Sequence, residues 1–263
     1  MTPAPVLSPR TVVEAFLPLD GETGLGPVYD TANAAGLDDQ PVRLTIRRLI
    51  AAGDVEQQGR GRAGTLRLTA AGRRRIERDR LALRLAHAQD AGAAPWDGTW
   101  HLLAVSVEES ARSVRDALRR NLIAAGAAAI STGLYVSAHD LSALLEAADR
   151  RHLVLAAADR LQVRGTADPL TLAEQLWPAA PVDRAYDALA AVLARPPAPD
   201  PLVQQLHLAD ALERAVRDDP LLPPELRAQP WRPARLRRQW YEVWTSLAER
   251  LGAGALYRGW LNA

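Results

Sequence analysis

Between Gln40 and Thr69 the chain gathers guanidinium groups at a spacing that suits a polyanion: Arg43, Arg47 and Arg48, then Arg60, Arg62 and Arg67. Arginine presents a planar fork of N–H donors that can pair with O6 and N7 of guanine or clamp a phosphate. Twelve arginines between residues 43 and 84 face Asp54, Glu56, Glu77 and Asp79, a net of +8, whereas the whole chain carries +1. The remaining residues therefore sum to −7, and residues 1–42 hold Arg10 alone against six acids. Charge segregated in this way raises local affinity for phosphate even when the bulk protein is near neutral. Every cation is arginine, because the chain contains no lysine, so arginine content alone is a weak signal.

The elements expected to position these groups follow from pattern. Asp38-Asp39 can cap a helix, Pro41 suits its first turn, and Val42, Ile46, Leu49 and Ile50 form one apolar stripe that turns Arg43, Arg47 and Arg48 toward solvent. Gly53 is placed to end that helix, Val55 starts a strand, Gly59 to Gly64 forms a flexible hairpin tip, and Leu66 and Leu68 mark the return strand to Thr69. Upstream, Val12, Val13, Phe16 and Leu17 predict a first helix and Val28 to Ala35 a second, with Gly36-Leu37 as the turn between them and the basic helix. A helix entering a basic hairpin is the plan of a winged helix-turn-helix that binds double-stranded DNA. On that plan Arg43 and Arg47 read guanine, Gln40 reads adenine, and Arg48, Arg60, Arg62 and Arg67 hold phosphates. A dimer would require a roughly palindromic operator. Two other readings compete: arginines on solvated helix faces, Arg73 to Arg75 included, and a dinucleotide fingerprint at Gly59, Gly61 and Gly64. The fingerprint needs a helix after it to hold the pyrophosphate, and a strand pattern follows instead.

The rest of the chain reads as connector, middle domain and helical tail. Thr69 to about Gln89 predicts one long basic helix, and Ala91 to Pro95 a linker. Trp100 to Val107 predicts a strand, Glu108 to Ala125 a helix, Ala129 to Ser137 a strand around Thr132-Gly133, Leu141 to Arg151 a helix and Leu153 to Val163 a last strand. This order resembles a ferredoxin-like sandwich. Helices are predicted over 170–177, 182–193, 202–217 and 235–251. The expected class is α+β with three segments: 1–90 for DNA binding and a linker helix, 96–168 for the ferredoxin-like domain, 169–263 for the helical domain. The absence of cysteine excludes disulfides and thiolate-held metals. Neither a membrane-spanning apolar run nor a signal-peptide pattern at Met1 to Pro9 is present, so a cytoplasmic protein without membrane contact is expected.

Five histidines, His87, His101, His139, His152 and His207, lack the close spacing of a zinc helix, and neither a nucleophile elbow nor a P-loop occurs, so no catalytic or metal-binding residue is assigned. The middle fold type is also used by metal-dependent CRISPR spacer-acquisition nucleases, whose first strand carries an aspartate. Here His101 to Val107 has none and Asp97 precedes the strand, while His139-Asp140 reads as a loop and cap. A metal-dependent nuclease or hydrolase, and an adaptor that binds protein instead of DNA, stand as alternatives.

Several stretches together resemble the phenylacetate-pathway repressor family, PaaX. They are Val42-Arg43 with Arg48-Leu49 and Gly53, Gly59 to Thr69, Trp96-Asp97-Gly98-Thr99-Trp100, Leu176-Trp177-Pro178 with Tyr186, and Asp219 to Leu226 with Trp231. The resemblance implies a winged-helix domain, a ferredoxin-like domain and a helical domain, in a non-enzymatic homodimeric repressor with no resident cofactor that releases DNA on binding an aryl- or acyl-coenzyme A inducer. The chain departs from the family at His207-Leu208-Ala209-Asp210 and at Trp231-Arg232-Pro233, which leaves the inducer open. Trp231, Trp240, Tyr241, Trp244, Tyr257 and Trp260 lie near Arg232, Arg235, Arg237 and Arg238 in the chain. From these, Trp231, Arg235 and Arg238 are the expected effector contacts, while the i, i+4 pair Trp240 and Trp244 reads as core.

Overall fold

Three short helices and a small sheet frame the arginine-rich segment. The computed structural model describes residues 7–258 apart from 109, 110, 143 and 146. Its contacts divide the chain into two compact units: residues to His87 with 188–214 and those from Leu236 on, and 88–187 with 215–235. This division differs from the three expected segments, because the helices after Pro169 are shared between the two units.

In the first unit, α1 (Pro9–Ala15) starts at Ser8, whose hydroxyl accepts from the Thr11 amide at 3.0 Å, with Pro9 in the first turn. Next come β1 (Thr23–Gly24), α2 (Leu25–Ala34), α3 (Asp39–Ala51), β2 (Val55–Gln58) and β3 (Thr65–Leu68). The strands form an antiparallel sheet in the order β1-β3-β2, with Val55 opposite Leu68 and Gln58 opposite Thr65. Val12 and Val13 of α1, Val28 and Ala32 of α2, Val42, Ile46 and Leu49 of α3, and Leu66 and Leu68 of β3 are buried. Each larger aliphatic side chain so buried contributes roughly 1.5–3 kcal/mol. Ile50, expected on the stripe, is instead 39% exposed, because a residue eight places beyond Val42 has rotated past the core edge.

The end of α3 is fixed by its own carbonyls. The Asp54 amide donates to the Leu49 carbonyl and the Gly53 amide to the Ile50 carbonyl, both at 2.9 Å, with Gly53 at φ +74°. At the start of α3 neither aspartate caps through its side chain: Asp38 makes no capping bond, and Asp39 is already the first helical residue. The region expected as one helix over 69–89 is two, α4 (Ala70–Asp79) and α5 (Leu81–Asp90). They part at Arg80, whose side chain turns into the interior, where burial lowers its pKa to about 10.

Thr69 and Gly72 seat α4. The Thr69 hydroxyl donates to the Gly53 carbonyl at 2.6 Å and accepts from the Gly72 amide at 3.0 Å. A Cβ on Gly72 would lie 1.9 Å from the Asp54 carbonyl oxygen, so only glycine permits this approach. Arg75 then joins three elements, donating to Asp54 at 2.9 Å, to Glu14 of α1 at 2.7 Å and to Asp79 at 2.9 Å.

The first unit also contains most of α11 (Pro201–Arg217) and α12 (Arg232–Leu251). Trp240 and Trp244 stack with centroids 4.8 Å apart, and the Trp240 indole N–H donates to the Leu208 carbonyl at 2.8 Å. Both rings are core, as their spacing predicted.

In the second unit, β4 (Trp100–Val105), α6 (Arg112–Ala124), β5 (Ala128–Ser131), β6 (Leu134–Ser137), α7 (Ala147–Arg150) and β7 (Leu153–Ala158) give an antiparallel sheet in the order β5-β6-β4-β7. The segment expected as a single strand over 129–137 is the β5-β6 hairpin, turning at Thr132-Gly133. Of the helix expected over 141–151, residues 143 and 146 lie outside the described residues, and among the described ones the helix is α7. Likewise the expected helix from Glu108 starts at Arg112, with 109 and 110 outside the described residues.

Period-two alternation covers both faces of this sheet. Trp100, Leu102 and Val136 pack with Trp177, Leu222 and Leu226, while Leu103, Val105 and Tyr135 pack with Leu122 of α6 and with Leu141 and Leu145. Trp177 stacks near-parallel to Trp100 at 6.4 Å, and its indole N–H donates to the Gly126 carbonyl at 2.9 Å. It reaches the sheet from the end of α8 (Pro169–Leu176), which α9 (Ala179–Ala185) and α10 (Asp187–Leu193) follow.

Two stability outcomes follow. Gly72→Ala is expected to cost about 3 kcal/mol or more, since its methyl meets backbone and not a movable side chain. Urea unfolding followed by far-ultraviolet circular dichroism measures this, and an unchanged midpoint would refute the close approach. Arg75→Met is expected to cost roughly 2 kcal/mol, between the values for exposed and buried pairs, while Asp79→Asn, at the exposed end of the same cluster, costs under about 0.5 kcal/mol.

Candidate nucleic-acid interface

Gln40, Arg43, Leu44 and Arg47 occupy positions i, i+3, i+4 and i+7 of α3 and so share one face, opposite the buried Val42, Ile46 and Leu49. All four are exposed, with Leu44 at 47%. Arg48 is exposed beside this face. Among the described residues, the guanidinium groups of Arg43, Arg47, Arg48 and Arg60 form no side-chain hydrogen bond or ion pair. Such a face can offer bidentate donors to base edges without first breaking an internal contact. Sequence reasoning passed over Leu44. Its signal was an apolar residue off the buried stripe, and an exposed aliphatic group there suits the methyl of thymine.

The hairpin departs from the flexible finger expected of it. Its tip holds a 3-10 turn at Gly61–Ala63 and lies against α2, where the Leu25 amide donates to the Gly64 carbonyl at 2.9 Å. Arg62 donates to Asp30 of α2 and lies 3.5 Å from Asp39, the first residue of α3, with its guanidinium 5.4 Å above the Tyr29 ring. The hydrogen bond from Arg62 to Asp30 is the main cause holding the guanidinium pKa above its ordinary value. Asn33 donates to the same Asp39 carboxylate at 2.9 Å. Arg67 faces Glu56 directly across the β2-β3 ladder and donates to it at 2.9 Å. Arg62 and Arg67, expected as phosphate contacts, are thus engaged by carboxylates, because acids distant in sequence fold next to them. Arg60 is the tip cation left without an internal partner among the described residues.

The expected effector residues lie close together in the chain but on both sides of the boundary between the two compact units. Trp231 and Arg235 belong to the second unit and Arg238 to the first. Trp231 is half-buried beneath the Arg227 guanidinium, 4.9 Å from its ring, and burial lowers the Arg227 pKa. Arg235 and Arg238 are exposed, and Trp260 lies outside the described residues. A cavity of about 580 Å³ in the second unit is walled elsewhere, by Ile123, Gly126, Arg164, Trp177, Arg217 and Asp218 among others. The C-terminal ends of α6, α8 and α11 contribute to those walls, and helix C-termini carry partial negative charge. With Asp218 and Asp219 also present, the arginines there balance negative potential and do not form a clear anion cradle.

The residues weighed for catalysis have structural partners. His139 Nε2 lies 2.7 Å from the Leu221 carbonyl, to which Gln89 also donates at 2.7 Å. Asp140 accepts from the Ser142 amide, which holds its pKa below the ordinary carboxylate value, and Asp97 accepts from the Thr99 amide. Among the described residues no group of three or more histidines and carboxylates is arranged to hold a metal ion, and no helix is long and apolar enough to cross a membrane.

Comparison with known proteins bears on the middle of the chain. Residues 93–172 match the family model described as the PaaX protein central Cas2-like domain. The fold is similar to that of the uncharacterized protein Rv0674 from Mycobacterium tuberculosis, with a TM-score of 0.63 and 24% identity over 93% of this chain and 95% of that one. No curated protein matches. The matched segment contains Trp96 and Trp100, which pack with Trp177 and with Leu222 and Leu226 of the Asp219–Leu226 stretch. The similarity to PaaX proteins thus lies in residues 93–172, whose aromatic motif is assembled into one core.

Proposed function

We propose that this protein is a sequence-specific transcriptional regulator that binds double-stranded DNA. The carrying observation is the exposed face Gln40, Arg43, Leu44 and Arg47, whose guanidinium groups have no internal partner among the described residues. The order α1-β1-α2-α3-β2-β3, with the sheet order β1-β3-β2, supports a winged helix-turn-helix in which α3 enters the major groove. In the second unit the order β4-α6-β5-β6-α7-β7 supports a ferredoxin-like domain. Resemblance to PaaX supports repression as a cytoplasmic, non-enzymatic homodimer on a roughly palindromic operator, relieved by an acyl-coenzyme A inducer. Arg43 and Arg47 read guanine, Gln40 reads adenine, Leu44 meets a thymine methyl, and Arg48 and Arg60 fix phosphates. Trp231, Arg235 and Arg238 remain the inducer contacts offered by the aromatic and cationic composition of that stretch.

Fluorescence anisotropy with the promoter fragment upstream of the gene itself, beside a random duplex, tests this. Arg43→Ala or Arg47→Ala should each lose about 1–3 kcal/mol, roughly 5- to 150-fold, on the promoter and far less on the random duplex. Arg60→Ala should weaken both equally and lower the slope of log affinity against log salt by about one. Absence of binding to either duplex at low salt would refute the regulator reading. Adding candidate acyl-coenzyme A thioesters to the bound complex tests the inducer, and release by one of them is the expected result.

A further inference from the structure

We propose that Arg62 positions the hairpin against the reading helix and does not itself hold phosphate. The inference deepens the DNA-binding reading and rests on it for its functional consequence, but the tether is a property of the free protein.

The geometry argues against phosphate at this residue. The Arg62 guanidinium already meets two carboxylates, Asp30 and Asp39, so the three side chains carry one net negative charge. An incoming phosphate would displace an acid and then face it at close range, a like-charge contact that opposes binding. Arg60, two residues earlier, is exposed and has no such neighbour.

The same contacts explain what the tether does. Asp30 lies within α2 and Asp39 is the first residue of α3, while Arg62 belongs to the 3-10 turn at the hairpin tip. One side chain therefore spans three elements, and Asn33 reinforces it by donating to Asp39 at 2.9 Å. The other side of the tip is held through backbone, by the bond from the Leu25 amide to Gly64. A Cβ on Gly64 would come within 2.9 Å of the Gln58 carbonyl, which shows how closely the tip is folded on itself. With both sides tied, the offset between Arg60 and the reading face of α3 is set before any duplex arrives. Fixed spacing of this kind reduces the ordering cost of association.

The test compares wild type with Arg62→Gln, Asp30→Asn/Asp39→Asn and Arg60→Ala. Amide hydrogen exchange of residues 59–64 is read on the free protein, and salt-dependent affinity is read on a random duplex. Arg62→Gln and the double asparagine variant should each speed exchange several-fold while leaving the salt slope at its wild-type value. Arg60→Ala should do the opposite, lowering the slope by about one with exchange unchanged. Unchanged exchange in Arg62→Gln would overturn the proposal, as would a slope lowered by about one in that variant. Tighter binding by the double asparagine variant with unaltered exchange would also overturn it, since the acids would then merely shield a phosphate contact. Exchange needs no DNA, so a wild-type chain that fails to bind would count against the regulator reading while exchange alone decides the tether.

Discussion

The peptide unit at Asp54 is where α3, the β2-β3 hairpin and α4 meet. Its N–H closes the end of α3 on the Leu49 carbonyl, and its carbonyl accepts the Thr69 amide at 3.0 Å and the Thr69 hydroxyl at 3.2 Å. Its side chain, partly screened from water, accepts from Arg75. A single buried residue thus ends the helix that carries Arg43 and Arg47, begins the strand of the hairpin, and receives α4 through the gap at Gly72. Because a buried backbone carbonyl requires a donor, Thr69 is held in place by the same need that fixes α3. Displacing Asp54 would move the helix end and the hairpin root together, so the angle between α3 and the hairpin depends on this junction.

The arginines divide into two populations that net charge conceals. Arg62, Arg67, Arg73 and Arg75 pair with Asp30, Glu56, Asp20 and Asp54 respectively, and Arg75 also reaches Glu14 and Asp79. Arg80 is buried. The free positive charge therefore falls well below the +8 formally present over residues 43–84. Among the described residues, Arg43, Arg47 and Arg48 on α3, Arg60 at the hairpin tip, and Arg74 and Arg78 on α4 remain exposed without an ion pair. Paired surface arginines add little to stability and little to long-range field, so affinity for a polyanion should follow the unpaired set.

Legibility in the sequence tracked the range of the interactions involved. The burial of Val42, Ile46 and Leu49, the end of α3 at Gly53 and the strand at Leu66 and Leu68 were readable because each depends on neighbours within a turn or a pleat. Ile50 was misplaced because a stripe counted in whole residues ignores the drift of the helix past its core edge. The β5-β6 hairpin is hard to separate from one strand in the sequence, because its reversal takes only the two residues Thr132-Gly133 between apolar runs. The break at Arg80 was hidden because burial of an arginine leaves no periodic trace. The ion pairs of Arg62 are not legible in the sequence, because Asp30 and Asp39 lie 32 and 23 residues away and no local pattern reports such pairs. Leu44 was overlooked for the opposite reason: attention to charge passed over the one apolar group on a polar face.

The tryptophans show how composition can point to a ligand site where packing has another use for the residues. Trp96, Trp100 and Trp177 form an edge-to-face and stacked series within the second unit, and Trp240 and Trp244 stack within the first. Rings committed to such contacts have little face left for an acyl group. Trp231 differs, since its ring lies beneath Arg227, a buried cation that also donates to the Trp177 carbonyl at 2.7 Å and lies 4.0 Å from Glu174. That arrangement ties Trp231 to the same core through a cation–π contact, which gains strength where water is excluded. Any ligand stacking on Trp231 would have to use the ring's remaining face, and its binding would then report on the packing of Arg227 and Trp177 underneath.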